Sequence, residues 1–130
     1  VGFSGGGMVT SYYAPLDERI RATVIHGYTN TFRGGILRKP HCMDNYIPGL
    51  LELGDLPDIL GLIAPRALFV ESGLKDRLFP ADQVREAVER LKEIYRFEGA
   101  DGELDWELFE GGHLIKGERS YDWLKSKLEG

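Results

Sequence analysis

Cysteine is almost absent from this chain: Cys42 stands alone. A single thiol cannot close an internal disulfide, which excludes the disulfide-stapled secreted scaffolds and leads to an expected cytoplasmic location. No apolar run approaches the roughly 20 residues that a membrane-spanning helix needs, so no membrane association is expected. Basic charge is also short. Sixteen Lys and Arg stand against 21 Asp and Glu, a net charge of −5. Nucleic-acid binding calls for a basic patch or stripe, and none is present. His41 and Cys42 are adjacent but lack further ligands at zinc spacing, so no metal is expected. There is no repeat, no low-complexity linker and no visible signal peptide.

The 130 residues are 42% hydrophobic and 28% charged, the composition of an ordinary globular domain or part of one. Their pattern alternates between strand and helix. Met8 to Ala14 reads as a short helix stopped at Pro15. Ala22 to Tyr28 is apolar and β-branched, a buried strand. Residues 29–54 carry Gly34-Gly35, Pro40, Pro48 and Gly54, and read as a long excursion with one helical turn near Leu50. Asp55 to Ile63 reads as a helix, Ala67 to Ser72 as a second strand, and Gly73 to Phe79 as a loop. From Pro80 to about Phe97, Val84, Ala87, Val88, Leu91, Ile94 and Tyr95 recur at helical spacing. Leu104 to Phe109 alternates as a third strand, Gly111-Gly112 turns, and Gly117 to Leu128 closes with Tyr121, Trp123, Leu124 and Leu128 on its apolar side. This order predicts an α/β fold of three layers, α/β/α, around a mostly parallel sheet.

In such sheets function collects beyond the carboxyl ends of the strands. Gly2-Phe3-Ser4-Gly5-Gly6 fits G-x-S-x-G, the sharp strand-to-helix turn that lifts a serine hydroxyl above the sheet. Its strain favours flanking residues without a β-carbon. Asp76 follows the strand ending at Ser72, and His113 follows the strand ending at Phe109. A serine hydroxyl needs a base within hydrogen-bond reach, and the base needs a carboxylate to orient it. Ser4, Asp76, His113 is the chain order of that constellation on an α/β-hydrolase sheet. Gly5 would donate its N–H to the oxyanion at the positive end of the following helix. The competing candidates read differently. His26 lies inside a strand and suits a buried, hydrogen-bonded role. Glu71 also lies within a strand, Asp82 begins a helix, and His41 fits a loop or pocket cover. Tyr28, Phe32, Tyr46 and Ile47 are the candidates to line the substrate pocket beneath the excursion.

The stretches GFSGGGMVTSYYAPLDERIRATVIHGY, HCMDNYIPGLL, DILGLIAPRALFVESGLKDRLFP and FEGGHLIKG together resemble the carboxyl-terminal half of an α/β-hydrolase. The likeness is to the acetyl-xylan-esterase and dienelactone-hydrolase-like esterases and covers nearly the whole chain. It implies a serine esterase without metal or organic cofactor, with Ser4 as nucleophile, Asp76 as acid and His113 as base. The implied substrate is a small-molecule or carbohydrate ester. Dienelactone hydrolases themselves carry cysteine where this chain has Ser4, so their activity is not expected. Prolyl-oligopeptidase-type peptidases share the implied fold and triad order and are the enzymatic alternative; an inactive hydrolase scaffold is the other. The resemblance also makes residues 1–130 a partial domain lacking its amino-terminal strands. An edge left open in that way predicts aggregation or homo-oligomer formation.

Overall fold

The computed structural model describes residues 1–130. Its elements are β1 (Gly2–Phe3), α1 (Gly5–Leu16), β2 (Ala22–His26), α2 (Leu50–Leu53), α3 (Leu56–Gly61), β3 (Ala67–Gly73), α4 (Ala81–Phe97), β4 (Leu104–Phe109) and α5 (Glu118–Glu129). The four strands form one parallel sheet in the order β1-β2-β3-β4. Because all strands run the same way, all their carboxyl ends lie along one edge. Ser4, the loop from Leu74 and the loop from Glu110 therefore emerge side by side.

The side chains of β2 and β3 alternate between two covered faces. Ile25, Leu68 and Val70 join the main core with Leu56, Leu60, Val84, Val88, Leu91 and Tyr95, all fully buried beneath α1, α3 and α4. Val24 and Phe69 point to the opposite face, where Trp123 of α5 meets Phe69 edge-on at 5.3 Å. Pro80 precedes the first turn of α4 and Gly99 leaves it at φ +68°. Asp55 caps α3 in a reciprocal capping box with Asp58. The same Asp55 carboxylate accepts from Phe32 N–H at 2.6 Å. One side chain thus joins the start of the excursion to its end.

Several boundaries differ from the sequence expectation. α1 begins at Gly5 and continues through Pro15 to Leu16. Pro15 lies within the last turn, with only Leu16 after it, and its missing N–H costs the helix one bond. β2 ends at His26, since Gly27 turns away at φ +55°. The excursion holds two 3₁₀ turns, Ile36–Arg38 and Met43–Asn45, besides α2. On α5, Tyr121 and Leu128 remain exposed, because the helix packs on β2 and β3 through Ser120 and Trp123. β1 pairs only with β2, and Val1, Val9 and Tyr13 are exposed around a hollow of about 300 Å³. No helix is long and apolar enough to cross a membrane.

Candidate active site

Ser4 joins β1 to α1 at φ 54°, ψ −117°, and no other non-glycine residue has a positive φ. The strained conformation is held by two backbone bonds. Ser4 N–H donates to the His26 carbonyl at 3.0 Å, and Met8 N–H donates to the Ser4 carbonyl at 2.9 Å. The glycines around Ser4 are not equivalent. A Cβ on Gly2 would collide with the Gly6 carbonyl and with Thr10 Oγ1, whereas Gly5 and Gly6 face open space. Gly7, outside the motif, is the second tight position, since a Cβ there would lie 2.8 Å from Tyr28 Cβ.

Asp76 lies in the loop after β3. Its Oδ1 accepts from the N–H groups of Leu78 (2.8 Å) and Phe79 (3.1 Å), which aims Oδ2 at the next loop. That loop is drawn close by Leu74 N–H to Phe109 O and Lys75 N–H to Gly111 O. Gly73 makes this approach possible, because any Cβ there would strike the Gly111 and Gly112 carbonyls. His113 then stands with Nδ1 2.7 Å from Asp76 Oδ2 and Nε2 2.9 Å from Ser4 Oγ. Its ring lies between Phe3 and Phe79, at centroid distances of 4.8 and 5.7 Å. The Asp76 side chain is fully buried, while His113 keeps a quarter of its side chain open to solvent. With Nδ1–H donated to the carboxylate, Nε2 is the acceptor for the serine hydroxyl. Gly5 opens α1, so its N–H has no carbonyl within the helix to bind.

A cleft of about 450 Å³ opens over Ser4 and Gly5. Met8, Leu78 and Phe79 give it an apolar wall, and Pro40, His41, Cys42, Asp44 and Asn45 of the excursion form the facing wall. Tyr28 lines the floor and donates its hydroxyl to Asn45 Oδ1 at 2.8 Å. Burial, with Tyr12 and Asp44 nearby, pushes the Tyr28 phenol well above its ordinary range. His41 stacks on Phe79 at 5.3 Å, and burial with the neighbouring Lys39 lowers its pKa. No three His, Cys, Asp or Glu side chains come together to hold a metal ion.

Of the four expected pocket residues, only Tyr28 reaches this cleft. Phe32, Tyr46 and Ile47 surround a separate hollow of about 190 Å³ with Leu50 and Leu51. Phe32 is drawn into the core by its bond to Asp55. The Tyr46 hydroxyl folds back along the excursion, accepting from His41 N–H at 3.1 Å and donating to Lys39 O. The lining residues that sequence reasoning missed are Met8, Leu78, Phe79, Pro40, Cys42, Asp44 and Asn45. Three carried a positional signal. Met8 is one helical turn beyond Ser4, and Leu78 and Phe79 are the residues whose N–H groups cap an acid two and three positions earlier.

The same arrangement of sheet and helices recurs in solved structures. A glucuronoyl esterase of carbohydrate esterase family 15 from Caldicellulosiruptor kristjansonii superposes with a TM-score of 0.77 at 18% identity, over 97% of this chain and 41% of that one. TT1662 from Thermus thermophilus superposes with a TM-score of 0.73 at 21% identity, over 99% of this chain and 53% of that one. This chain has the α/β fold of part of those structures. In sequence it is 31% identical over 105 residues to the Bacillus subtilis (strain 168) protein named "Putative hydrolase YtaP". That match takes in 77% of this chain and 34% of the relative, so the chain spans about a third of the relative's length. No family model matches the chain.

Proposed function

We propose that the chain carries the triad-bearing part of a serine hydrolase that cleaves carboxylic esters. The observation that carries this reading is the unbroken hydrogen-bonded path from Ser4 Oγ through His113 to Asp76, at 2.9 and 2.7 Å. Ser4 Oγ attacks the ester carbonyl carbon as His113 Nε2 takes its proton. Asp76 holds the ring and stabilises the imidazolium, with its own second oxygen occupied by Leu78 and Phe79 N–H. The Gly5 N–H receives the developing oxyanion. Collapse of the tetrahedral intermediate breaks the bond to the alcohol, which leaves with the proton from His113. Water then attacks the acyl-enzyme with His113 again as base, and the carboxylic acid is released as Ser4 regains its proton.

The cleft suggests the substrate's shape. An apolar wall of Met8, Leu78 and Phe79 suits a small acyl group, and the wall of Asp44 and Asn45 suits a hydroxylated alcohol. An ester of a small acid with a carbohydrate alcohol fits both. Residues 29–54 act as the pocket cover in this reading.

A fluorophosphonate probe followed by peptide mapping tests the proposal, because such probes react with a serine only when its base is in place. The chain is compared with a longer polypeptide that supplies further strands in front of β1. Labelling at Ser4 in either supports the hydrolase; no labelling in both rejects it.

A further inference from the structure

The carboxylate of Glu71 is fully buried in the middle of a strand, and the catalytic path from Ser4 to Asp76 does not use it. A buried charge is costly unless donors surround it, so its partners reveal what it holds. On one side, His26 of β2 faces it with Nδ1 2.8 Å from Oε1. On the other, Oε1 accepts from Lys116 N–H at 2.9 Å, and Oε2 accepts from Gly117 N–H at 3.1 Å and from Ser120 Oγ at 2.8 Å. These last three donors belong to the segment that runs from His113 into α5. Lys116 is held twice, since its Nζ reaches Glu107 Oε1 at 2.7 Å, and Glu107 is the register partner of Glu71 on β4.

The His26 side of the cluster leads back to the nucleophile. The His26 carbonyl accepts the Ser4 N–H at 3.0 Å, and Gly27 N–H donates to the Glu71 carbonyl at 2.8 Å. One side chain therefore joins the residue that fixes the elbow to the residues three and four positions beyond the base. We propose that Glu71 is a positioning residue for ester hydrolysis, tying the His113 segment to the strand that holds Ser4 and so setting the imidazole against the hydroxyl. This rests on the hydrolase reading above. Glu71 touches neither substrate nor the reacting atoms. Its effect runs through the placement of His113, which must be correct to a fraction of an ångström for proton transfer.

The test uses Glu71→Gln and Ser120→Ala, with two readouts. Glu71→Gln keeps the shape but presents an N–H₂ group where acceptors are needed. In the hydrolysis assay its kcat falls tenfold or more, with KM within about twofold of the parent. Ser120→Ala removes one donor and leaves the carboxylate, and lowers kcat about threefold with KM unchanged. The second readout is the downfield NMR resonance of the His113 Nδ1 proton in its bond to Asp76, which shifts or broadens in both variants. Should Glu71→Gln fail to fold, Ser120→Ala decides. Unchanged kcat with an unmoved resonance overturns the proposal. A parent that neither labels nor hydrolyses esters rejects the hydrolase reading instead, and the resonance alone then decides whether Glu71 positions the imidazole.

Discussion

His113 Nε2 lies 2.9 Å from Ser4 Oγ although 109 residues of chain separate them. The parallel sheet brings them within reach, because β1 and β4 end along the same edge and the loops that follow the strands meet there. Removing the hydroxyl should leave this scaffold intact. Ser4→Ala is expected to lower ester turnover by a factor on the scale of ~10⁶. Asp76→Asn should cost ~10⁴ in kcat, through the wrong imidazole tautomer, with substrate binding little changed. Steady-state kinetics on folded variants checks both, and near-parental turnover in Ser4→Ala would reject Ser4 as the nucleophile.

The glycines of the elbow should respond in opposite ways. Gly2→Ala pushes a methyl into the Gly6 carbonyl and Thr10, so the turn must open and phosphonate labelling of Ser4 should be lost. Gly6→Ala meets nothing and lies inside a helix, where alanine is favoured by roughly 0.5–1 kcal/mol. Thermal melts and labelling of the two variants provide the comparison. Equal behaviour would contradict the close packing around Gly2.

Tyr28→Phe should loosen the wall of the cleft. The substitution removes the hydroxyl that donates to Asn45 while keeping the ring against Phe79, 5.3 Å away. The expected result is a stability loss of about 1 kcal/mol, and a raised KM with kcat nearly unchanged. A fall in kcat with constant KM would place Tyr28 in the chemistry and not in the wall.

Glu71 should give a signature in stability against pH. Burial acts to raise its pKa, but hydrogen bonds from Ser120, His26 and Lys116 N–H outweigh it and hold the carboxyl below its ordinary 4.5. A carboxyl depressed by folding adds stability above its unfolded pKa and loses it as pH falls through the folded value. The deficit of Glu71→Gln against the parent should therefore be full near neutral pH and shrink once pH drops below about 4.5. Denaturant melts across that window measure it, and a deficit independent of pH would mean that the carboxylate's charge contributes nothing.

What the sequence made legible follows from local pattern. Of the expected stripe, Val84, Ala87, Val88, Leu91 and Tyr95 are buried and Ile94 is half-buried, because a helix that covers a sheet declares its inner face by period. The three strands read from composition are present, and Asp76 and His113 follow two of them to meet Ser4, which follows the short β1. The start of α1 was not legible, since Gly5-Gly6-Gly7 has poor helix propensity and forms helix only through the turn at Ser4 and contact with β2. The cleft wall was hidden for a different reason. Whether Phe32 or Asn45 faces the site depends on bonds to Asp55 and Tyr28, distant partners that no window of sequence contains. Glu71 was legible as a charge inside a strand, but its role needed the loop that meets it.

Asp55 clasps both ends of the excursion, holding Phe32 N–H at 2.6 Å while capping α3. A loop whose feet are already fastened is cheap to lengthen or replace, since closure entropy grows only with the logarithm of its length. The stretch between Phe32 and Asp55 therefore behaves as an exchangeable cassette. Exchanging it would recast the cleft wall of Pro40, His41, Cys42, Asp44 and Asn45 while leaving the sheet and its three loops unaltered.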